Sequence, residues 1–289
     1  QSAYGTGRTA VAELAPCVRR PKVSCMSATA GPRSLQSQAS PPLLPCAPAR
    51  AAFLIDFDGT LAEIAAAPLL ARPHPDAASV LSRLLATTEG AVALVTGRPI
   101  ATIDALLDVP GLSIAGIHGL ERRDASGRTW RNASSAPAVA MARRSLQRFV
   151  EACPRLLLED KGLSLALHYR AAPALAQVAD DVTARIVAHA GGELLRIKGS
   201  MVFEIAPPTA SKSAAVRAVL TDPQFHGRAP VYLGDDEVDE DAFRLVNELG
   251  GLSVQVGRPR PSSSAQARLE SVDAAVGWLA RLAGGSGDR

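Results

Sequence analysis

Short apolar runs, each closed by a polar residue or glycine, recur along most of this chain and alternate with stretches of helical spacing. Ala51-Ala52-Phe53-Leu54-Ile55 is the first, closed by Asp56. Five apolar residues in a row without alternation predict a strand buried on both faces. Residues 75–85 follow with Ala78, Val80, Leu81, Leu84 and Leu85 on one helical face. Residues 91–95 give a second buried strand, 103–107 a helical stretch and 112–117 a third strand. The same signal returns at Val231-Tyr232-Leu233 and at 252–256, with helical spacing before each, at 213–220 and 239–249. Strands alternating with helices predict parallel βαβ units and an α/β, Rossmann-like, doubly wound parallel sheet.

The middle of the chain has another rhythm. Residues 141–153 and 174–190 are long amphipathic stretches, while 164–169, 193–197 and 201–205 alternate as strands with one wet face do. The pattern predicts an inserted α+β domain with a small antiparallel sheet. Residues 51–121 then form the first part of the core, 122–204 the insert and 205–289 the second part of the core. No repeat at solenoid periods is visible.

Residues 1–50 show no sustained period and, apart from Tyr4, no aromatic residue. Rich in Ser, Pro, Ala and Arg, they cannot bury enough apolar surface to offset their ordering entropy, and they read as a disordered extension. Their Arg-rich, acid-poor composition also fits a transit peptide, with Met26 a candidate native start. This segment holds six basic residues against Glu13 alone, so it carries +5 of a formal net charge of +3, and the remainder carries −2. The globular part therefore gives no electrostatic reason to expect nucleic acid. No apolar run approaches the roughly 18–20 residues of a membrane span, and nothing points to an obligate protein partner. Cys17, Cys25 and Cys46 lie in the extension and Cys153 stands alone, so no disulfide framework or zinc spacing appears and a reducing, cytoplasmic setting is expected.

Chemistry concentrates at the predicted strand ends. Asp56-Phe57-Asp58-Gly59-Thr60 closes the first strand, at the edge where doubly wound sheets place ligands. Two carboxylates two residues apart point into one crevice and repel unless a cation or proton compensates, which suits Mg²⁺. One can attack phosphorus while the other handles protons. A lone Asp-Xaa-Asp is most often a turn, but here it has company. Thr96-Gly97-Arg98 closes the second strand with a hydroxyl and a guanidinium, and Gly234-Asp235-Asp236 closes the fourth. Lys212 opens the 213–220 helix, where it opposes the helix dipole unless an anion sits nearby. Asp239, Glu240 and Asp241 favour the dipole of the helix they open without needing a function.

Taken in order, Asp56-Phe57-Asp58-Gly59-Thr60, Thr96-Gly97-Arg98, Lys212 and Gly234-Asp235-Asp236 resemble the haloacid dehalogenase-like phosphohydrolases. Gly116-Ile117-His118-Gly119-Leu120-Glu121, Glu159-Asp160-Lys161-Gly162, Leu167-His168-Tyr169-Arg170, Glu204-Ile205-Ala206-Pro207 and Gly234-Asp235-Asp236-Glu237-Val238-Asp239-Glu240 are more narrowly similar to the trehalose-6-phosphate phosphatases. The resemblance spans about residues 51–280. It implies Asp56 as nucleophile, Asp58 as the acid and base, Thr96 as a holder of a phosphoryl oxygen, and Lys212 as neutraliser of the transferring group. Mg²⁺ would be held by Asp56, the backbone carbonyl of Asp58 and Asp235, with Asp236 as a further or outer ligand. The insert becomes a mobile cap. Glu159, Lys161, His168, Arg170 and Glu204 there, with Arg98 and His118, are implied to bind a small phosphosugar; Arg196 and Lys198 are weaker candidates. The chain departs from the family pattern at Ser213, where Gly is usual, and at Val238, where Thr is usual. A phosphatase for sucrose phosphate, mannosyl phosphoglycerate or a hexose phosphate shares the same core, as does a phosphomutase. A catalytically silent sugar-phosphate sensor would be expected to have lost Asp56 or Asp58.

Overall fold

The first apolar run forms β1 (Ala51–Ile55), every residue of which is buried. It is followed by α1 (Ala77–Thr87), β2 (Val92–Val95), α2 (Ile100–Leu106) and β3 (Ser113–Gly116). The computed structural model describes residues 41–65 and 68–284. A hairpin of β4 (Glu121–Arg123) and β5 (Thr129–Arg131) comes next. The insert contains α3 (Ala136–Ala152), β6 (Leu157–Asp160), β7 (Leu165–His168), α4 (Ala176–His189), β8 (Leu195–Gly199) and β9 (Val202–Ala206). The core is completed by α5 (Lys212–Val219), β10 (Ala229–Gly234), α6 (Glu240–Glu248), β11 (Leu252–Val256), β12 (Ala267–Leu269) and α7 (Val272–Leu282).

The core sheet runs β12-β11-β10-β1-β2-β3-β4-β5 and is parallel from β12 to β3. Winding proceeds outward from β1 in one direction and from β10 in the other, so the topological switch lies between these two strands. Side chains of β1 alternate between two apolar layers. Phe53 and Ile55 join α1 and α7, and Leu54 joins α5 and α6. Full burial of one such side chain contributes about 1.5–3 kcal/mol. The insert has its own sheet, β6-β7-β9-β8, all antiparallel, with α3 and α4 packed on one face around Leu165, Leu167, Phe203 and Ile205. The opposite face is turned to the ends of β1 and β10.

Three boundaries differ from the sequence reading. The expected start of the insert at residue 122 falls inside β4, because β4 and β5 pair antiparallel onto β3 and continue the core sheet to Arg131. Their charged side chains hid them as strands. The insert's sheet likewise runs to Ala206 rather than 204. Residues 41–50 are not an unstructured tail: Leu44 and Cys46 pack on the core, and the Trp278 indole N–H donates to the Pro42 carbonyl at 3.1 Å. The readings for residues 1–40, including Cys17, Cys25 and Met26, lie outside the described residues. Cys46 and Cys153 are free thiols.

Candidate active site

The switch point brings two sequence motifs together. The Asp56 N–H donates to the Leu233 carbonyl at 2.9 Å, which sets Asp56 at the end of β1 beside Gly234 at the end of β10. Gly59 turns in the left-handed region (φ +74°), and a Cβ there would lie 2.0 Å from Asp235 Oδ2. Only glycine permits that turn together with so close an approach. One carboxylate oxygen each from Asp56, Asp235 and Asp239 fall within 4.8 Å of one another.

Lys212 supplies the positive charge. Its Nζ lies 2.9 Å from Asp56 Oδ1 and 2.6 Å from Asp239 Oδ1. Burial opposes its charge, yet Asp239 and Asp56 hold its pKa well above the usual lysine range. These are the anions that its place at the start of α5 demanded. Asp239 is therefore no mere helix opener, as the sequence reading had it. It is fully buried, and its two oxygens accept from Lys212, the Tyr232 hydroxyl at 2.6 Å, and the Asp235 and Asp236 N–H groups at 3.0 Å. The sequence reading missed both Asp239 and Tyr232. Glu240 and Asp241 do have structural tasks: Glu240 accepts from Arg260, Ser263 and Ser264, and Asp241 from Ser211 and the Ser213 N–H.

Charge in this cluster is out of balance. Burial, then repulsion from Asp56 and Asp239, pushes the Asp235 carboxyl up to about 9. Burial pushes Asp56 up to about 7 in spite of Lys212. A hard divalent cation would correct this imbalance, and Asp56 and Asp235 are the carboxylates suited to hold it, since both oxygens of Asp239 already accept hydrogen bonds. The stability consequence has a definite sign. Carboxyls with raised pKa values favour the folded state below their unfolded values near 4, and that contribution disappears as pH climbs through about 7 and 9. In EDTA the thermal midpoint should fall as pH rises from 5 to 9. Mg²⁺ should raise the midpoint far more at pH 8.5 than at pH 6, because it binds the ionised groups. Calorimetry at the two pH values checks this, and a pH-independent Mg²⁺ increment would separate the metal from these carboxylates.

Asp58 stands apart from the cluster. Arg98 holds it through two parallel hydrogen bonds, Nε to Oδ2 at 2.6 Å and Nη2 to Oδ1 at 2.7 Å, and stacks on Phe57 at 5.4 Å. Gly97 makes room beneath, since a Cβ there would come within 2.8 Å of the His118 ring. Thr96 does not line the cavity that the other candidates share. It is fully buried, and its hydroxyl oxygen accepts the Arg98 N–H at 3.1 Å.

The open face of the insert's sheet closes the cavity from above. Glu204, on β9, accepts from Lys161 Nζ at 2.7 Å and Ser164 Oγ at 2.5 Å, and pairs with His118 Nε2 of the core at 3.2 Å. Burial works against its charge, but Lys161 and His118 hold its pKa well below the usual carboxylate range. His118 reaches it from a left-handed backbone (φ 53°), a costly conformation for a non-glycine residue. Glu159 and His168 pair at 2.9 Å on the same face. Arg170 donates to the Ser200 carbonyl at 2.9 Å. Of the weaker candidates, Arg196 belongs to the opposite face, where it pairs with Asp180 and stacks on Phe203, and Lys198 does not line the cavity. Asp236 lines the cavity but does not join the acidic cluster; its oxygens accept from the Glu237 and Ser200 N–H groups. Val238 lines the same cavity.

Comparison with known proteins gives a consistent result. The sequence profile of a family described as trehalose-phosphatase matches residues 54–274. A probable trehalose-phosphate phosphatase of Sinorhizobium fredii is 38% identical over 232 residues, covering 80% of this chain and 87% of that protein. The trehalose-6-phosphate phosphatase of Escherichia coli is 37% identical over 240 residues, covering 80% and 86%. Among solved structures, the C-terminal domain of Candida albicans trehalose-6-phosphate phosphatase superposes with a TM-score of 0.72 at 23% identity, covering 81% of this chain and 92% of that one. That likeness concerns the fold.

Proposed function

Because the chain belongs to the trehalose-phosphatase family of phosphoric monoester hydrolases, we propose that it hydrolyses trehalose 6-phosphate to trehalose and phosphate, using Mg²⁺ and an aspartyl phosphate on Asp56. The observation that carries this reading is the pairing of Asp56 with Lys212 at the switch point, beneath a cap face on which buried Glu204 is paired with Lys161 and with His118 of the core. The core's arrangement is that of the haloacid dehalogenase-like phosphatases, and the catalytic carboxylates sit where such sheets bind ligands.

The chemistry follows from the side chains. Asp56 attacks phosphorus, the bond to the sugar oxygen breaks, and its electron pair leaves with that oxygen. Asp58 donates the proton that the departing sugar oxygen needs. Arg98 keeps that carboxyl oriented on the cavity wall through its two hydrogen bonds. In the second half Asp58 takes a proton from the water that attacks the aspartyl phosphate, and Asp56 is restored. Lys212 keeps Asp56 oriented and offsets phosphoryl charge throughout. Asp56 and Asp235 are the residues that would hold Mg²⁺, which would supply charge compensation for the transferring group.

On the cap, neutral sugar hydroxyls need donors and acceptors already held in place; Glu204, Lys161, Glu159 and His168 provide both. A cytoplasmic setting is part of the reading: among the described residues no helix is long and apolar enough to cross a membrane, and Cys46 and Cys153 are unpaired. Phosphate release with Mg²⁺ across trehalose 6-phosphate, sucrose 6-phosphate and glucose 6-phosphate is the direct test. The trehalose ester should be preferred by at least about tenfold, a difference of about 1.4 kcal/mol in transition-state binding, and EDTA should abolish turnover. Equal cleavage of glucose 6-phosphate would remove the substrate assignment and leave the phosphatase.

A further inference from the structure

The loop after β10 carries adjacent aspartates that serve different parts of the molecule. Asp235 enters the acidic cluster with Asp56, whereas the Asp236 carboxylate meets the cap. Asp236 Oδ1 accepts the Glu237 N–H at 2.7 Å, which fixes the side chain, and Oδ2 accepts the Ser200 N–H at 3.2 Å. Ser200 and Met201 form the two-residue turn between β8 and β9, with Met201 in the left-handed region at φ 60°. That turn is bonded into the cap: Arg170 donates to the Ser200 carbonyl at 2.9 Å and the Tyr169 N–H to the Met201 carbonyl at 3.1 Å. A Cβ built on Gly199 would stand 3.6 Å from Asp236 Oδ2, so the hairpin tip lies directly against the loop.

The β8–β9 hairpin thus meets the core at its tip through Ser200 and Asp236, and near its other end through Glu204 with His118 and the packing of Ile197 and Ala206 on Ile117 and Leu120. We propose that Asp236 is a positioning residue for the reaction, holding the β8–β9 hairpin tip against the core so that the Glu204 face of the cap is set over Asp56. A carboxylate accepting a backbone N–H forms a charge-assisted hydrogen bond, and it engages cap backbone rather than a side chain that could rotate away. Selectivity for the sugar then depends on a residue of the core's own carboxylate loop, one position from Asp235. The kinetic part rests on the substrate proposed above; the mechanical part does not.

Two substitutions remove the contact from opposite sides in the full chain: Asp236→Ala deletes the acceptor, and Ser200→Pro deletes the N–H. Hydrogen exchange of the backbone amides of 195–206, measured without Mg²⁺, should accelerate about fivefold or more in each. The double variant should be no faster than Asp236→Ala alone, because both substitutions delete the same cap–core bond. Ser200→Pro should raise KM for trehalose 6-phosphate about tenfold while 4-nitrophenyl phosphate hydrolysis stays at the wild-type rate. Wild-type exchange in Asp236→Ala overturns the proposal. So does a Ser200→Pro protein with unchanged KM beside an Asp236→Ala protein that needs more Mg²⁺ for both substrates, since Asp236 would then act at the metal. If the wild type fails to cleave trehalose 6-phosphate, the substrate reading falls, and the exchange rates alone still decide whether Asp236 holds the cap.

Discussion

Asp56→Asn should lower phosphate release from trehalose 6-phosphate by at least about 10³-fold and leave the protein folded. An amide cannot form the bond to phosphorus, so the two-step route is lost. The fold should survive because the amide oxygen still accepts from Lys212, whose second partner, Asp239, is untouched. Asparagine also removes a carboxyl that burial and its acidic neighbours drive toward protonation. In EDTA at pH 8 the variant's thermal midpoint should therefore equal or exceed that of the wild type, while the Mg²⁺ increment should shrink. Turnover within tenfold of wild type would place the nucleophile elsewhere. A midpoint many degrees lower would make Asp56 a structural residue first.

The other large effect is expected on the cap. Lys161→Ala should reduce kcat/KM for trehalose 6-phosphate by about 10²-fold or more, about 3 kcal/mol, because a substrate hydroxyl loses a charged partner in a desolvated site. Glu204→Ala should match that loss and also destabilise the protein. It strips the shared partner from Lys161, His118 and Ser164, and breaking a buried pair from one side costs about 3–5 kcal/mol. Hydrolysis of 4-nitrophenyl phosphate, too small to span the cavity, should fall much less in Lys161→Ala. If both substrates lose activity equally in that variant, Lys161 serves the chemistry or the fold rather than the sugar.

Much of this arrangement was legible in the sequence because parallel strands buried on both faces leave unbroken apolar runs, and such runs end where ligands bind. Ile55 to Asp56 and Leu233 through Gly234 to Asp235 are of this kind. The β4–β5 hairpin was invisible for the opposite reason. Glu121-Arg122-Arg123 and Thr129-Trp130-Arg131 are partly or fully exposed, and polar edge strands have no apolar alternation to read. Asp239 was overlooked because an aspartate opening a helix is already explained by the dipole; only its distance to Lys212 and Tyr232 shows that it organises the centre. Its place four residues after Asp235, in the loop that follows Gly234, was the available clue. The resemblance implies Glu204, Lys161 and His168 only as candidates for binding the sugar. The pairing of Lys161 with Glu204 and of His168 with Glu159 depends on β7 lying between β6 and β9, an order that sequence spacing does not reveal.

The cap keeps an apolar core separate from the two layers around the main sheet, and the chain joins them only before α3 and after β9. Heritable variation can therefore reshape one half without disturbing the other. A lineage acquiring a taste for a different sugar needs new residues on one face of four short strands, while Asp56, Lys212 and Asp239 go on as before. The exceptions are the ties at His118 and Asp236 and the small apolar seam where Ile117 and Leu120 of the core meet Leu163, Ile197 and Ala206 of the cap; there a change on either side must be matched by its neighbour, and exchanging caps between relatives should first fail at these positions.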